Sequence, residues 1–130
     1  MSNVKKKSSR ILIVFLVILI LIVGLFLFIF LSTMQKTRNA DVHEVDISAI
    51  EDGNYVGESD LGLVYVKVEV TVKDHKIENI VLLEHRNGKG QPAERIATDI
   101  VEQQKIDVDI VSGATCSSVA IKAAVVDALT

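Results

Sequence analysis

The stretch Val64-Tyr65-Val66-Lys67-Val68-Glu69-Val70-Thr71-Val72-Lys73 decides the fold. Valine takes every second position. Successive side chains on a strand point to opposite faces, so all five valines share one face and the other is wet or amphipathic. Lys73-Asp74-His75-Lys76 reads as a turn, and Ile77 to Leu83 returns as a second strand to close a hairpin. The dense run Ile80-Val81-Leu82-Leu83 predicts that this second strand is central and covered on both sides. Upstream, Glu51-Asp52-Gly53-Asn54 is a turn cluster, and Tyr55-Val56-Gly57 opens a short strand behind it.

Downstream the period changes. Arg86 to Pro92 is the longest loop. Ala93, Ile96, Ala97, Ile100 and Val101 then fall at helical spacing, with Pro92 suited to a first turn, where its missing N–H costs nothing. Ile106, Val108 and Ile110 alternate with Lys105, Asp107 and Asp109, which predicts another short strand. A final helix is expected from about Ser117 to Leu129, with Ile121, Ala124, Val125 and Ala128 inside. The expected order is β-β-β-α-β-α. This is an α+β domain: a small, mainly antiparallel sheet with two helices, preceded by one N-terminal transmembrane helix.

That preceding helix is a different material. Ile11 to Leu31 is an unbroken apolar run of 21 residues holding all four phenylalanines; the remaining aromatics are Tyr55 and Tyr65. As a helix it is about 31 Å long, matching the roughly 30 Å hydrocarbon core of a bilayer. A cleavable signal peptide has a shorter apolar region, about 7–15 residues, and a small-residue exit. Here the exit reads Leu31-Ser32-Thr33-Met34-Gln35, and no cysteine follows to accept a lipid. Lys5, Lys6, Lys7 and Arg10 give the first ten residues +4, against Lys36 and Arg38 just beyond the run. Cytoplasmic flanks carry the excess of Lys and Arg, so the amino terminus is expected inside. The expected organisation is a cytoplasmic basic segment (1–10), a single-pass anchor (11–31), a polar stalk (32–45) and an extracytoplasmic domain (46–130).

From Thr33 onward there are 10 basic and 17 acidic residues. An acidic domain repels phosphate backbones, which argues against a nucleic-acid partner. One cysteine, Cys116, cannot form an internal disulfide. His43, His75 and His85 are far apart, with no metal-ligand spacing and no Ser–His or Cys–His pair evident in sequence.

The stretch richest in chemistry is Asp109-Ile110-Val111-Ser112-Gly113-Ala114-Thr115, between an expected strand and an expected helix. Gly113 permits a tight turn, and a helix amino terminus favours phosphate. Ser112, Thr115, Ser117 and Ser118 add hydroxyls. On spacing alone an ordinary turn with capping residues explains the same pattern and leads.

Asp109-x-x-Ser112-Gly113-Ala114-Thr115 resembles the flavinylation motif of the FMN-binding domain family. That domain occurs in flavin-carrying subunits of the sodium-pumping NADH:quinone oxidoreductase and of the Rnf complex, and in small membrane-anchored bacterial proteins. Asp52-Gly53-x-Tyr55-x-Gly57, the valine strand, Lys76-Ile77 and the closing helix look like the same family, so the resemblance runs from about Asp52 to Leu129. It implies FMN joined through its phosphate to the Thr115 hydroxyl by a separate FAD-dependent flavin transferase. Ser112, Gly113, Ala114 and Asp109 would form the rest of the cofactor-binding motif. The family's Glu-Thr-Pro-Gly type of loop is replaced by His85-Arg86-Asn87-Gly88-Lys89-Gly90-Gln91-Pro92, so ring contacts do not carry over. The implied role is electron transfer between a membrane redox donor and an extracytoplasmic acceptor, at the cytoplasmic membrane of a bacterium. No substrate-specific catalytic residues are visible, so an electron-carrying module is expected rather than a complete enzyme. The alternatives are a non-covalent flavin-binding or sensing module and a structural interaction domain of the envelope.

Overall fold

The computed structural model describes residues 2–86 and 91–130. It divides into two units, 1–32 and 33–130. The first is the amino-terminal part of helix α1 (Ser2–Arg38). Every large apolar side chain from Ile11 to Leu31 is exposed, and the helix is long and apolar enough to cross a membrane. An exposed apolar surface of this extent is stable only where the surroundings are themselves apolar.

The second unit is an α+β domain. A three-stranded antiparallel sheet has the order β1-β2-β3, formed by β1 (Gly53–Asp60), β2 (Tyr65–Lys73) and β3 (Lys76–Arg86). Helices α2 (Arg95–Gln103) and α3 (Thr115–Leu129) supply the other layer, with α3 lying across β1 and β2 and α2 against β3. The valine strand behaves as its alternation requires. Val64, Val66, Val68, Val70 and Val72 are all buried, while Tyr65, Lys67, Glu69 and Thr71 are partly exposed on the other face. Asp74 and His75 form the two-residue hairpin turn, both in the left-handed region, and the Asp74 N–H donates to the Asp52 carboxylate at 2.9 Å.

Three expectations need correction. The central strand is β2, and β3 lies at the edge. Val81 and Leu83 are 43% and 50% exposed, because among the described residues no strand and no second layer covers their face. Ile106, Val108 and Ile110 do not form a strand. Ile106 and Val108 are buried, but the Ile106 and Asp107 N–H groups donate to the Glu44 carboxylate at 3.1 and 2.8 Å rather than to a neighbouring strand. Alternation reports which side chains go inside; it does not supply a ladder partner for the backbone. The observed order is therefore β-β-β-α-α. Finally, α3 begins two residues earlier than expected, at Thr115. Of the expected 86–92 loop, Arg86 ends β3, Gln91–Glu94 form a 3-10 turn, and residues 87–90 lie outside the described residues.

The segment before β1 is tied to the domain. α1 continues to Arg38, and Thr33 Oγ1 accepts from the Leu63 N–H at 3.3 Å. Val45, Ile47 and Ile50 pack half-buried on the core, around a 3-10 turn at Ile47–Ala49. α2 buries Ile96, Ala97 and Ile100, as its spacing requires, and ends at Gln104 in the left-handed conformation. α3 buries the expected Ile121, Ala124, Val125 and Ala128, and also Lys122, whose Nζ reaches Asp107 at 3.1 Å. That ion pair holds the 106–108 segment against the helix. On the outer face of the sheet, the Tyr65 hydroxyl donates to Glu58 at 2.6 Å and the Arg86 guanidinium lies 4.6 Å above the Tyr65 ring.

Candidate functional site

The start of α3 is assembled from its own small residues. The Ala114 N–H donates to the Val111 carbonyl at 3.0 Å, closing a tight turn with Gly113 at φ +81°. Ser118 fastens this turn from inside. Its buried hydroxyl accepts from the Val111 N–H at 3.0 Å and donates to the Ala114 carbonyl at 2.7 Å, the same oxygen that takes the Ser118 N–H at 2.9 Å. The helix-flanking residue is Ala114, and among the described residues no side chain caps the helix. An apolar residue there is a poor cap, since it leaves the first-turn N–H groups without an acceptor. No acidic residue lies in that first turn.

The four hydroxyls sort into two pairs. Ser117 and Ser118 are buried and engaged; Ser112 and Thr115 are exposed. Asp109 and Gly113 are exposed as well, and nothing lies within 4 Å of where a Gly113 Cβ would stand. The polar residues of the Asp109–Thr115 motif are thus all exposed, while Ala114 is buried and Val111 half-buried. Cys116 Sγ accepts from the Thr37 hydroxyl at 3.5 Å.

Sequence reasoning missed the group beneath this turn. The His85 Nε2 is 3.1 Å from Ser117 Oγ, and its Nδ1 is 3.2 Å from Glu94 Oε1. Strict alternation from Ile80 and Leu82 would turn His85 outward. A bulge at Leu83 shifts the register: Val68 pairs with Leu82, but Lys67 pairs with Glu84 and Val66 with His85. An extra residue reverses the parity of everything after it, so His85 lies on the buried face. A second irregularity at Glu78 does the same between Ile77 and Ile80. The three-residue gap between those two isoleucines is the only trace of such bulges in the sequence. Among the described residues, no His, Cys, Asp and Glu cluster could hold a metal ion.

The fold and the site define a small α+β domain that presents an uncapped helix start, rimmed by exposed hydroxyls and a glycine turn. A model of the FMN-binding domain family matches residues 64–130, just over half of the chain, and the chain belongs to that family. The match opens at Val64, so β1 and the Asp52–Gly57 stretch lie ahead of it. None of the curated proteins matches the chain. The residues present fit the phosphate end of FMN. An uncapped helix start with no carboxylate in its first turn suits an anion, and the open space at Gly113 lets one approach the backbone.

Proposed function

We propose that this protein is a membrane-anchored, extracytoplasmic electron carrier whose FMN is ester-linked to Thr115. One observation supports this most. Of the four hydroxyls around the turn, Thr115 alone is both exposed and on the first residue of an uncapped helix. In the attachment step the Thr115 Oγ1 attacks the FMN-side phosphorus of FAD, AMP leaves, and the hydroxyl proton is lost; a separate flavin transferase carries out this step. The phosphodiester keeps one negative charge, which the start of α3 stabilises. Gly113 leaves room for the transferase, Ser112 offers a hydroxyl to a phosphate oxygen, and Asp109 completes the motif that the transferase reads. Bound FMN supplies one- and two-electron redox chemistry, while the chain supplies tethering and electrostatics. The basic amino flank supports an orientation with residues 33–130 outside the cytoplasm, where a covalent bond prevents loss of the flavin by diffusion. Electrons then pass from a membrane donor to an extracytoplasmic acceptor, with no substrate chemistry of the protein's own.

Mass spectrometry of the full-length chain, made together with a flavin transferase, tests this. The Thr115 peptide should gain FMN minus water, and the flavin should survive denaturation. Thr115→Ala should abolish the adduct. Flavin that leaves on denaturation would make the site non-covalent, and flavin on Ser112 would move the attachment. No flavin at all would leave a structural domain. External protease should remove the domain from intact protoplasts; protection until the membrane is broken would reverse the topology.

A further inference from the structure

We propose that His85 is a positioning residue for the flavin-bearing turn, acting through Ser117; the inference rests on Thr115 as the attachment residue. The side chain of His85 is 6% exposed, and it bridges two elements that follow it in the chain. Glu94 comes from the 3-10 turn that leads into α2, and Ser117 from the first turn of α3. The carboxylate fixes the direction of the bond to Glu94, and a neutral ring fixes that of the bond to Ser117. The Glu94 side chain is 47% exposed, and a carboxylate at the surface only accepts. His85 Nδ1 must therefore carry the hydrogen. In the neutral ring that leaves Nε2 as a bare acceptor, so the Ser117 hydroxyl must donate to it. With the ring neutral, the chain of bonds runs one way, from Ser117 through His85 to Glu94.

This chain lies where the helix most needs it. Helix ends fray, and α3 has no side-chain cap at its start. Ser118 holds the turn to its own loop; Ser117 ties it to the sheet, through His85. Ser117 is 1% exposed, so its oxygen cannot serve as an attachment site or a nucleophile. What it does is fix the rotation of the turn on which Thr115, two residues earlier, points outward. A reaction between a hydroxyl and a bound phosphorus depends steeply on such orientation.

The test compares initial rates of flavin transfer to full-length chains in detergent. His85→Phe and Ser117→Ala should each slow transfer roughly tenfold, as loss of one buried hydrogen-bond partner implies. His85→Gln should recover most of the rate, because its amide oxygen can accept from Ser117. The double variant His85→Phe/Ser117→Ala should be no slower than either single change, since both remove the same contact. Nitrogen-15 NMR of the folded chain without flavin should show His85 protonated at Nδ1 and bare at Nε2. Amide exchange at Ser118, whose N–H makes the first bond of α3, should quicken in Ser117→Ala. If His85→Phe does not fold, Ser117→Ala, His85→Gln and the ring tautomer decide. Wild-type rates in Ser117→Ala, or a ring protonated at Nε2 and bare at Nδ1, would overturn the role of His85 while leaving Thr115 flavinylated. A wild-type chain that takes no flavin would overturn the Thr115 reading, and this inference with it.

Discussion

The two ends of α3 are built on opposite terms. Its carboxyl-terminal half lies directly on β1. A Cβ at Gly57 would collide with the Ala124 carbonyl oxygen and the Ala128 backbone, and Asp127 accepts from the Glu58 N–H at 2.9 Å. Its amino-terminal end presents a glycine with open space around it, an exposed threonine and no cap. Packing and presentation are thus separated along 15 residues of one helix. The packed end holds the helix, and the other end can be left unsatisfied for a ligand. Stability and ligand chemistry should therefore respond to different substitutions.

The largest effect is expected at the packed end. Val68 pairs with Gly57 beneath α3, and Val68→Asp places an unpartnered carboxylate in the core. Its cost of several kcal/mol is a large share of the roughly 5–15 kcal/mol that holds a domain together, so thermal melts should show no folded baseline. Glu69→Gln, one residue on and facing outward, should leave the melt unchanged; equal tolerance at both positions would break the register. Gly57→Ala should follow at about 1–3 kcal/mol, because backbone rather than a flexible side chain must move. At the presenting end Gly113→Ala meets no obstacle and costs only the strain of a positive φ, about 1–2 kcal/mol. It should nonetheless slow flavin transfer by more than Gly57→Ala does. A reversed order would mean that the two ends are not separate.

The smallest effect concerns Glu58, whose N–H joins the packed end. Its carboxylate accepts from the Tyr65 hydroxyl and pushes that phenol up to about 12, with desolvation and the Glu58 and Glu84 charges adding to the shift. The folded value exceeds the unfolded one near 10. The linked stability is therefore complete below about pH 10 and is lost as pH rises towards about 12. Ultraviolet titration of Glu58→Gln should show Tyr65 ionising at lower pH than in the parent; an unchanged titration would assign the shift elsewhere.

How much of this was legible in the sequence varies along the chain. The valine strand, the hairpin turn, the apolar helix and the inner face of α3 follow from periodicity, because each keeps one period throughout its length. The exposed Thr115 turn was legible as a motif, though not as an uncapped helix start, since that depends on where α3 begins. β3 was not legible. Its bulges at Glu78 and Leu83 each insert a residue, so no single period describes which of its side chains are buried. His85 was hidden by the same device. Residues 106–110 mislead in the reverse sense: their alternation marks the burial of Ile106 and Val108 but not of Ile110, which is exposed, and it supplies no pairing, because the Glu44 carboxylate takes the N–H groups that a strand would have given to the sheet.

Gln104, just past α2, has a consequence for the company this domain can keep. Its side-chain amide accepts from the Ile77 N–H at 2.9 Å and donates to the Ile77 carbonyl at 2.8 Å, as a neighbouring strand would. A free strand edge invites pairing with the edge of another molecule, the step from which swapped dimers and fibrils grow. Here one end of β3 is already occupied by a side chain that cannot propagate a ladder, and two bulges interrupt the remainder. Crowded copies of this domain are left with no continuous edge of β3 along which to zip together.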